Sequence, residues 1–338
     1  MLYIGYESDI ESNKMRTARM AGCSAKVVVG GSIYADMAIR CVQFPSGGDS
    51  VRGLGFSCVL TGSGVNQATQ AAVLGCQVSL IGKVGKDIFG QMAKDNLSEV
   101  GVDCDSIFCA EAKNTGTSLS FVNNSGENRT CVSSGANRAL LGSEVSVGGV
   151  ENLISSADVC VVNADLLPEV VSTIIRTAKL SRTKVILDPQ LSSEQFEQSR
   201  DELPIDYYSA DVLVTNLSEA AELSHSATGN IHAAKVMGSD LLARGLGCVI
   251  VKLGRRGAVV VDKNGADHIS SFDVNFVDHT ACGDAFNGAL AACCGVGDEI
   301  RKAVKFASAA GALACSKFGT QEALPQKAEI LELLQELP

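Results

Sequence analysis

The stretch FVDHTACGDAFNGALA, Phe276 to Ala291, sets the reading of the chain. It opens on apolar residues, narrows to Ala281-Cys282-Gly283, and then presents Asp284 at the start of an apolar helix. Small residues let a ligand approach the backbone. The free amides of a first helical turn, with the helix dipole behind them, attract an anion such as a phosphate. A carboxylate there repels that anion unless it has chemistry of its own, and taking a proton from a hydroxyl nucleophile is such chemistry. The alternative is that Asp284 only caps the helix. This stretch alone leaves both open.

Outward from it, short β runs alternate with helical stretches. Strands are expected at Lys26–Gly30, Gln77–Ile81, Asp158–Asn163, Lys184–Leu187, Asp211–Thr215 and Cys248–Lys252, with a hairpin-like Ala258–Val261. Helices are expected at Val65–Leu74, ending on Gly75, and at Phe89–Val100, Pro168–Leu180 and Ile231–Arg244. Three more close the chain: Asp284–Cys294, Asp298–Ser316 and Lys327–Leu337. Strands separated by single helices imply right-handed crossovers and an α/β fold, a mainly parallel sheet covered on both faces. Two segments break the rhythm. Asp36–Leu60 is rich in glycine and serine, and Thr115–Cys131 alternates polar and apolar residues around a turn at Asn124-Ser125-Gly126. Both read as a small antiparallel β lid over the carboxyl edge of the strands, where open α/β sheets bind ligands. Residues 1–25 are polar, carry Lys14, Arg16 and Arg19, and lack a continuous apolar core. They read as a disordered extension rather than a secretory signal, ahead of one domain over 26–338.

Composition narrows the function. The 338 residues are 46% hydrophobic and 20% charged, ordinary for a globular protein, with no apolar run long enough to span a membrane. A net charge of −10 without a Lys/Arg cluster argues against a nucleic-acid surface. The 13 cysteines are odd in number, form no CxxC pair, and have four histidines for company. Most sit in apolar runs, among them Cys160, Cys248, Cys293, Cys294 and Cys315, where cysteine behaves as a small hydrophobe. The expectation is a reducing, cytoplasmic setting with neither a disulfide framework nor zinc.

Other phosphate-binding signatures are missing. There is no GxxxxGK[ST]; Gly62-Ser63-Gly64 starts like a dinucleotide fingerprint, but its last glycine falls on Gln67. What remains is a set of polar residues at strand ends or in the lid: Asp36, Asn66, Asp165, Asn216 with Glu219, and Asp278 with Asp284. Each alone suits a turn or a cap, but together they gather where such sheets hold ligands.

The chain resembles the ribokinase-like (PfkB) family of carbohydrate kinases, from about Lys26 to Pro325. The motifs are GSIYAD (31–36), GVNQATQAAVLG (64–75), IGKVGKDIFG (81–90), GENR (126–129), GAN (135–137), NLSE (216–219), VKLGRRGA (251–258) and DHTACGDAFNGALA (278–291). A GTQ near Thr320 closes the set. The resemblance implies an ATP- and magnesium-dependent kinase acting on a primary hydroxyl of a small sugar. It makes Asp284 the catalytic base, and Ala281, Cys282 and Gly283 an anion hole. Asn216 and Glu219 match the NxxE motif that organises magnesium and phosphate through water. Lys252, Gly254, Gly257 and Ser308 fall at nucleotide positions. Asp278, Thr280 and Gly319 fall where an activating monovalent cation such as K+ is held, although Ala323 stands where a serine is frequent. Cys282 replaces a smaller residue, which implies sensitivity to oxidation.

On the sugar side Asp36, Gly62 and Asn66 agree with the family. Tyr34 replaces an asparagine, Thr61 a glycine and Ser63 a lysine, while Asp165 stands for a glutamate. The resemblance further implies a homodimer paired through the lid. Two other functions stay open: a nucleoside kinase of the same fold, and a sugar- or nucleotide-binding paralogue with little turnover.

Overall fold

Strands buried on both faces carry no polar side, and KVVVG, VCVVN, KVILD, VLVTN and CVIVK are such strands. The computed structural model describes residues 25–125, 127–191 and 203–335. The first half runs β1 (Lys26–Gly30), β2 (Tyr34–Cys41), β3 (Gly53–Thr61), α1 (Ser63–Val73), β4 (Gln77–Gly85), α2 (Ile88–Glu99), β5 (Val102–Asp103), β6 (Ile107–Ala110), β7 (Gly116–Val122) and β8 (Asn128–Ser133). There follow α3 (Gly142–Val145), α4 (Gly148–Ser155), β9 (Val159–Asn163), α5 (Pro168–Ser181), β10 (Lys184–Asp188), β11 (Val212–Asn216), α6 (Leu217–Leu223) and α7 (Ile231–Leu242). The chain then runs through β12 (Cys248–Lys252), β13 (Ala258–Asp262), β14 (Gly265–Ile269), α8 (Cys282–Gly295), α9 (Ile300–Cys315) and α10 (Lys327–Gln335).

The main sheet has the order β14-β13-β12-β11-β10-β9-β1-β4-β5, with β6 also paired to β4. It is parallel from β12 to β5, and the β12–β13–β14 edge is antiparallel. Alternate strand residues feed two cores. Val27, Val29, Val161, Ile186 and Ile250 pack with α1, α8 and α9 on one face. Val28, Cys160, Val162, Leu187 and Val249 pack with α5 and α7 on the other. Ala25, which the sequence assigns to the extension, is buried in the first core; residues 1–24 lie outside the described residues.

The second sheet, β3-β2-β7-β8, is the lid. Its hairpins β2–β3 and β7–β8 are antiparallel, as expected, but they meet through a parallel β2–β7 pairing that sequence alternation cannot foresee. Two motifs fasten this sheet to the body. Asn137 of GAN accepts from the Ile33 amide at 2.9 Å and donates to the Ile33 carbonyl at 2.8 Å, replacing a strand partner. Asp87 of KDIFG caps α2 through the Gly90 amide and also accepts from the amide and hydroxyl of Thr115, just ahead of β7. Burial pushes the Asp87 carboxyl up, yet these hydrogen bonds outweigh it and hold its pKa below the usual range.

Candidate active site

Five neighbouring strands end on one edge and deliver polar side chains there: Lys252 on β12, Asn216 on β11, Asp188 on β10, Asn163 on β9, and Ser32 just past β1. Asn216 is in register with Lys252, and Asp188 with Asn163. Helix α1 meets this edge through an approach only glycine permits. A Cβ on Gly31 would stand 2.6 Å from the Gly64 Cα, and Gly62, turning into α1 at φ +116°, would bring one to 2.5 Å from the Ser32 carbonyl oxygen.

Helix α8 starts two residues earlier than the sequence suggests. Its N-cap is Ala281, which brings no side-chain acceptor to the first turn, so Asp284 is the third helical residue and not the cap. The Asp284 carboxylate instead turns to α1. Oδ2 accepts from Asn66 Nδ2 at 2.8 Å and Oδ1 from Gln67 Nε2 at 2.9 Å. Burial pushes the Asp284 carboxyl up to about 6; the Asn66 and Gln67 hydrogen bonds and Lys252 oppose the shift, and Asp188 adds to it. An uncapped first turn beside a carboxyl that titrates near neutrality suits anion binding coupled to proton transfer. Lys252 lies across from this turn, its Nζ 3.4 Å from where a Cβ on Gly283 would sit, so the glycine keeps that gap open.

Glu219 and Asn216 form a capping box on α6: Asn216 Oδ1 accepts from the Glu219 amide at 2.9 Å, and Glu219 Oε2 from the Asn216 amide at 2.8 Å. Burial and then Asp188 raise the proton affinity of Glu219, against the Asn216 bond and Lys252. Gly254 and Gly257 turn β12 into β13 at φ +59° and +88°, and a Cβ on Gly257 would overlap the Ile269 carbonyl. Ser308 is buried on α9 one turn before Gly311, whose absent side chain admits the Cys282 carbonyl. Asp278, Thr280 and Gly319 come together: Asp278 Oδ1 accepts from the Thr280 hydroxyl at 2.6 Å and Oδ2 from the Gly319 amide at 3.3 Å. Burial pushes Asp278 up, but these bonds win and its pKa is lowered.

Cys282 forms a disulfide with Cys315, contrary to the expectation of unpaired cysteines. The reason is topological. Helices α8 and α9 are consecutive and tightly packed against each other, which sets the last residue of α9 beside the first of α8, 33 positions apart. Nothing in the spacing of the cysteines signals this.

On the lid side, Tyr34 and Asp36 share one face of β2 by the two-residue period. Burial and then Asp165 raise the proton affinity of the Tyr34 phenol, against Ser134, Arg138 and Asn137. Asp165, just past β9, is pushed up to about 6 by burial, with Asp188 and Asp284 adding to a shift that Ser32 opposes. Ser63 opens α1 and accepts from Gln190 Nε2 at 3.1 Å. Asn66 Oδ1 is buried without a donor among the described residues.

Four participants escape the sequence reading: Gln67, Asp188, Gln190 and Asn287. A single oxygen of Asp188, Oδ2, accepts from Gln67 at 3.0 Å, Gln190 at 2.9 Å and Asn287 at 2.7 Å. Two signals were available: an Asp-Pro closing the apolar run Val185–Leu187, and an asparagine inside the apolar helix AFNGALA.

The pfkB family carbohydrate kinase model matches residues 24–327. The chain is 30% identical to a ribokinase of Haemophilus influenzae over 308 residues, 90% of this chain and 97% of that one. It is 31% identical to a ribokinase of Schizosaccharomyces pombe over 314 residues, 90% and 96% of the two chains. Among solved structures, the ribokinase of Arabidopsis thaliana complexed with ribose and ATP superposes with a TM-score of 0.85 at 22% identity, covering 92% of this chain and 99% of that one.

Proposed function

We propose, since the chain belongs to the pfkB family of carbohydrate kinases, that it phosphorylates a primary hydroxyl of a small neutral sugar in the manner of a ribokinase. It is an ATP-dependent phosphotransferase with an alcohol acceptor. The observation that carries the proposed chemistry is Asp284: a half-buried carboxylate, its proton affinity raised to about 6, clamped by two amides at an uncapped helix start.

In this reading Asp284 takes the proton of the sugar hydroxyl as that oxygen attacks. The amides of Ala281, Cys282 and Gly283 at this helix start, with Lys252 across the gap, receive charge that develops on the transferred group. Magnesium-bound ATP supplies the phosphoryl group when present. Glu219, committed through Oε2 to its capping box, would act on the metal through water, with Asn216 beside it and Gly254, Gly257 and Ser308 lining the nucleotide side. Asp278, Thr280 and Gly319 are proposed to hold a monovalent cation such as K+; the Thr320 hydroxyl next to them is buried without a partner among the described residues. Asp36, Gly62, Ser63, Asn66, Asp165 and Tyr34 are proposed to face the sugar, with the unpaired Asn66 Oδ1 ready to accept from a hydroxyl.

The lid supports a homodimer. On the face opposite Tyr34 and Asp36, cross-strand rows align Phe56, Ile39 and Phe121, then Cys58, Met37 and Leu119. Phe56 is 67% and Leu119 47% exposed, an apolar sheet face that a second copy would cover.

The test is product formation from ATP against a panel of neutral sugars and nucleosides, followed by phosphorus NMR, for the parent and Asp284→Asn. The expected result is turnover of a pentose or close relative, reduced about a hundred- to ten-thousand-fold in the variant. A preference for nucleosides replaces the acceptor; near-parental turnover by Asp284→Asn removes the base.

A further inference from the structure

We propose that Asp188 is a positioning residue for phosphoryl transfer, its carboxylate anchoring the Gln67 amide that holds one oxygen of Asp284. The inference rests on Asp284 being the base. Gln67 is fully buried and its amide has one orientation available. Its Oε1 accepts from Asn163 Nδ2 at 2.9 Å, so its NH2 end must face the carboxylates, 3.0 Å from Asp188 Oδ2 and 2.9 Å from Asp284 Oδ1. A single amide thus bridges the two acids, and Asn163 and Asp188, register partners on β9 and β10, hold it from two sides.

The charge on Asp188 is the unexplained part. It is 4% exposed and, among the described residues, has three side-chain amides for partners and no cation. A neutral oxygen would accept from those amides at a smaller desolvation cost. A carboxylate one amide away from Asp284 adds what a neutral group cannot: it opposes ionisation of the base and keeps it able to take a proton near neutral pH. The charged groups around Asp284 are Asp188 from β10, Asp165 from the end of β9 and Lys252 from β12, while α1 presents only amides. Asp188 raises the proton affinity of both Asp284 and Asp165, which places it at the centre of the cluster.

The two members of the bridge predict opposite signs. Asp188→Asn removes the charge and should lower the Asp284 midpoint by about one pH unit. Gln67→Met removes a donor to the ionised base and leaves two carboxylates facing each other, so the midpoint should rise. A residue with only a packing role has no reason to move the midpoint in opposite directions.

The experiment is a carbon-13 carboxyl NMR titration of the full-length apo protein labelled at aspartate, with the Asp284 resonance assigned by its loss in Asp284→Asn. It is paired with kcat/KM profiles from pH 5 to 9 using ATP and D-ribose. The acid limb should follow the NMR midpoint in each variant. In Gln67→Met, kcat should fall about tenfold while the KM for ATP stays within about twofold. A midpoint unmoved in both variants overturns the proposal. If Asp188→Asn does not fold, the direction of the Gln67→Met shift decides alone. Absence of sugar phosphorylation by the parent would sink the kinase reading, but the substrate-free titration would still judge the bridge.

Discussion

Asp284→Asn should abolish turnover and, at the same time, stabilise the protein above pH 6. In the unfolded chain this carboxyl titrates near 3.8, and in the folded protein near 6. Between those values the folded state binds the proton more tightly, so the parent loses stability as pH rises from about 4 through about 6 and stays at the reduced level beyond. A shift of about two units corresponds to about 3 kcal/mol at full ionisation. The asparagine cannot ionise, but it carries its own cost. Its carbonyl can accept from only one of the Asn66 and Gln67 amides, and its NH2 faces the other, a mismatch of about 1–3 kcal/mol at every pH. The pH-dependent part is therefore the diagnostic. Relative to the parent, Asp284→Asn should gain about 2 kcal/mol between pH 4.5 and pH 8, measured by urea unfolding at matched ionic strength. A stability difference that stays flat over that range would mean the carboxyl is not perturbed and would refute the picture of a base with raised proton affinity.

Other outcomes follow from the same geometry. Glu219→Gln should raise the magnesium concentration for half-maximal rate several-fold while leaving the KM for the sugar within about twofold; an unchanged magnesium profile would assign Glu219 to its capping box alone. Oxidised glutathione should lower turnover of the reduced parent, with two fewer alkylatable thiols by intact mass, and Cys282→Ala should be indifferent to it; equal sensitivity in both would clear the Cys282–Cys315 pair of any role. Ribose should be a poor acceptor, about a hundredfold or more below a good one if two pocket contacts are mismatched, and Ser63→Lys with Tyr34→Asn should improve its kcat/KM; efficient ribose turnover by the parent would show that the Ser63 and Tyr34 replacements are compensated elsewhere in the pocket.

Much of the fold was legible because it is written in short-range patterns. Apolar runs such as VCVVN admit only a strand buried on both faces, and Gly75 and Gly101 end the helices where expected, both at positive φ. The strand ends were equally readable, so Asn216 and Asp284 stand out as candidates from their positions alone, whereas Lys252 enters only through the family resemblance. What could not be read are relations across the sheet. The parallel β2–β7 pairing joins segments about 80 residues apart, and the Cys282–Cys315 bond depends on how tightly two helices pack. Gln67 enters the sequence reading only as the place where a dinucleotide fingerprint lacks its last glycine. Only the placement of β10 and α8 around it gives its amide two carboxylates to serve.

The acids of the site sort by what surrounds them rather than by residue type. Asp87 and Asp278 accept backbone and hydroxyl donors, their pKa values are depressed, and they act as fasteners. Asp165 and Asp284 sit among other carboxylates, and both are pushed up to about 6. The division follows the architecture. The fasteners lie on loops where free amides are plentiful, whereas the raised acids face the ends of parallel strands whose backbone groups are already spent in the sheet. Amide side chains from Asn66 and Gln67 fill that shortage at Asp284 without neutralising its charge, so this carboxylate is kept hydrogen-bonded and still basic. An arginine in place of either of them would supply better hydrogen bonds and a poorer base.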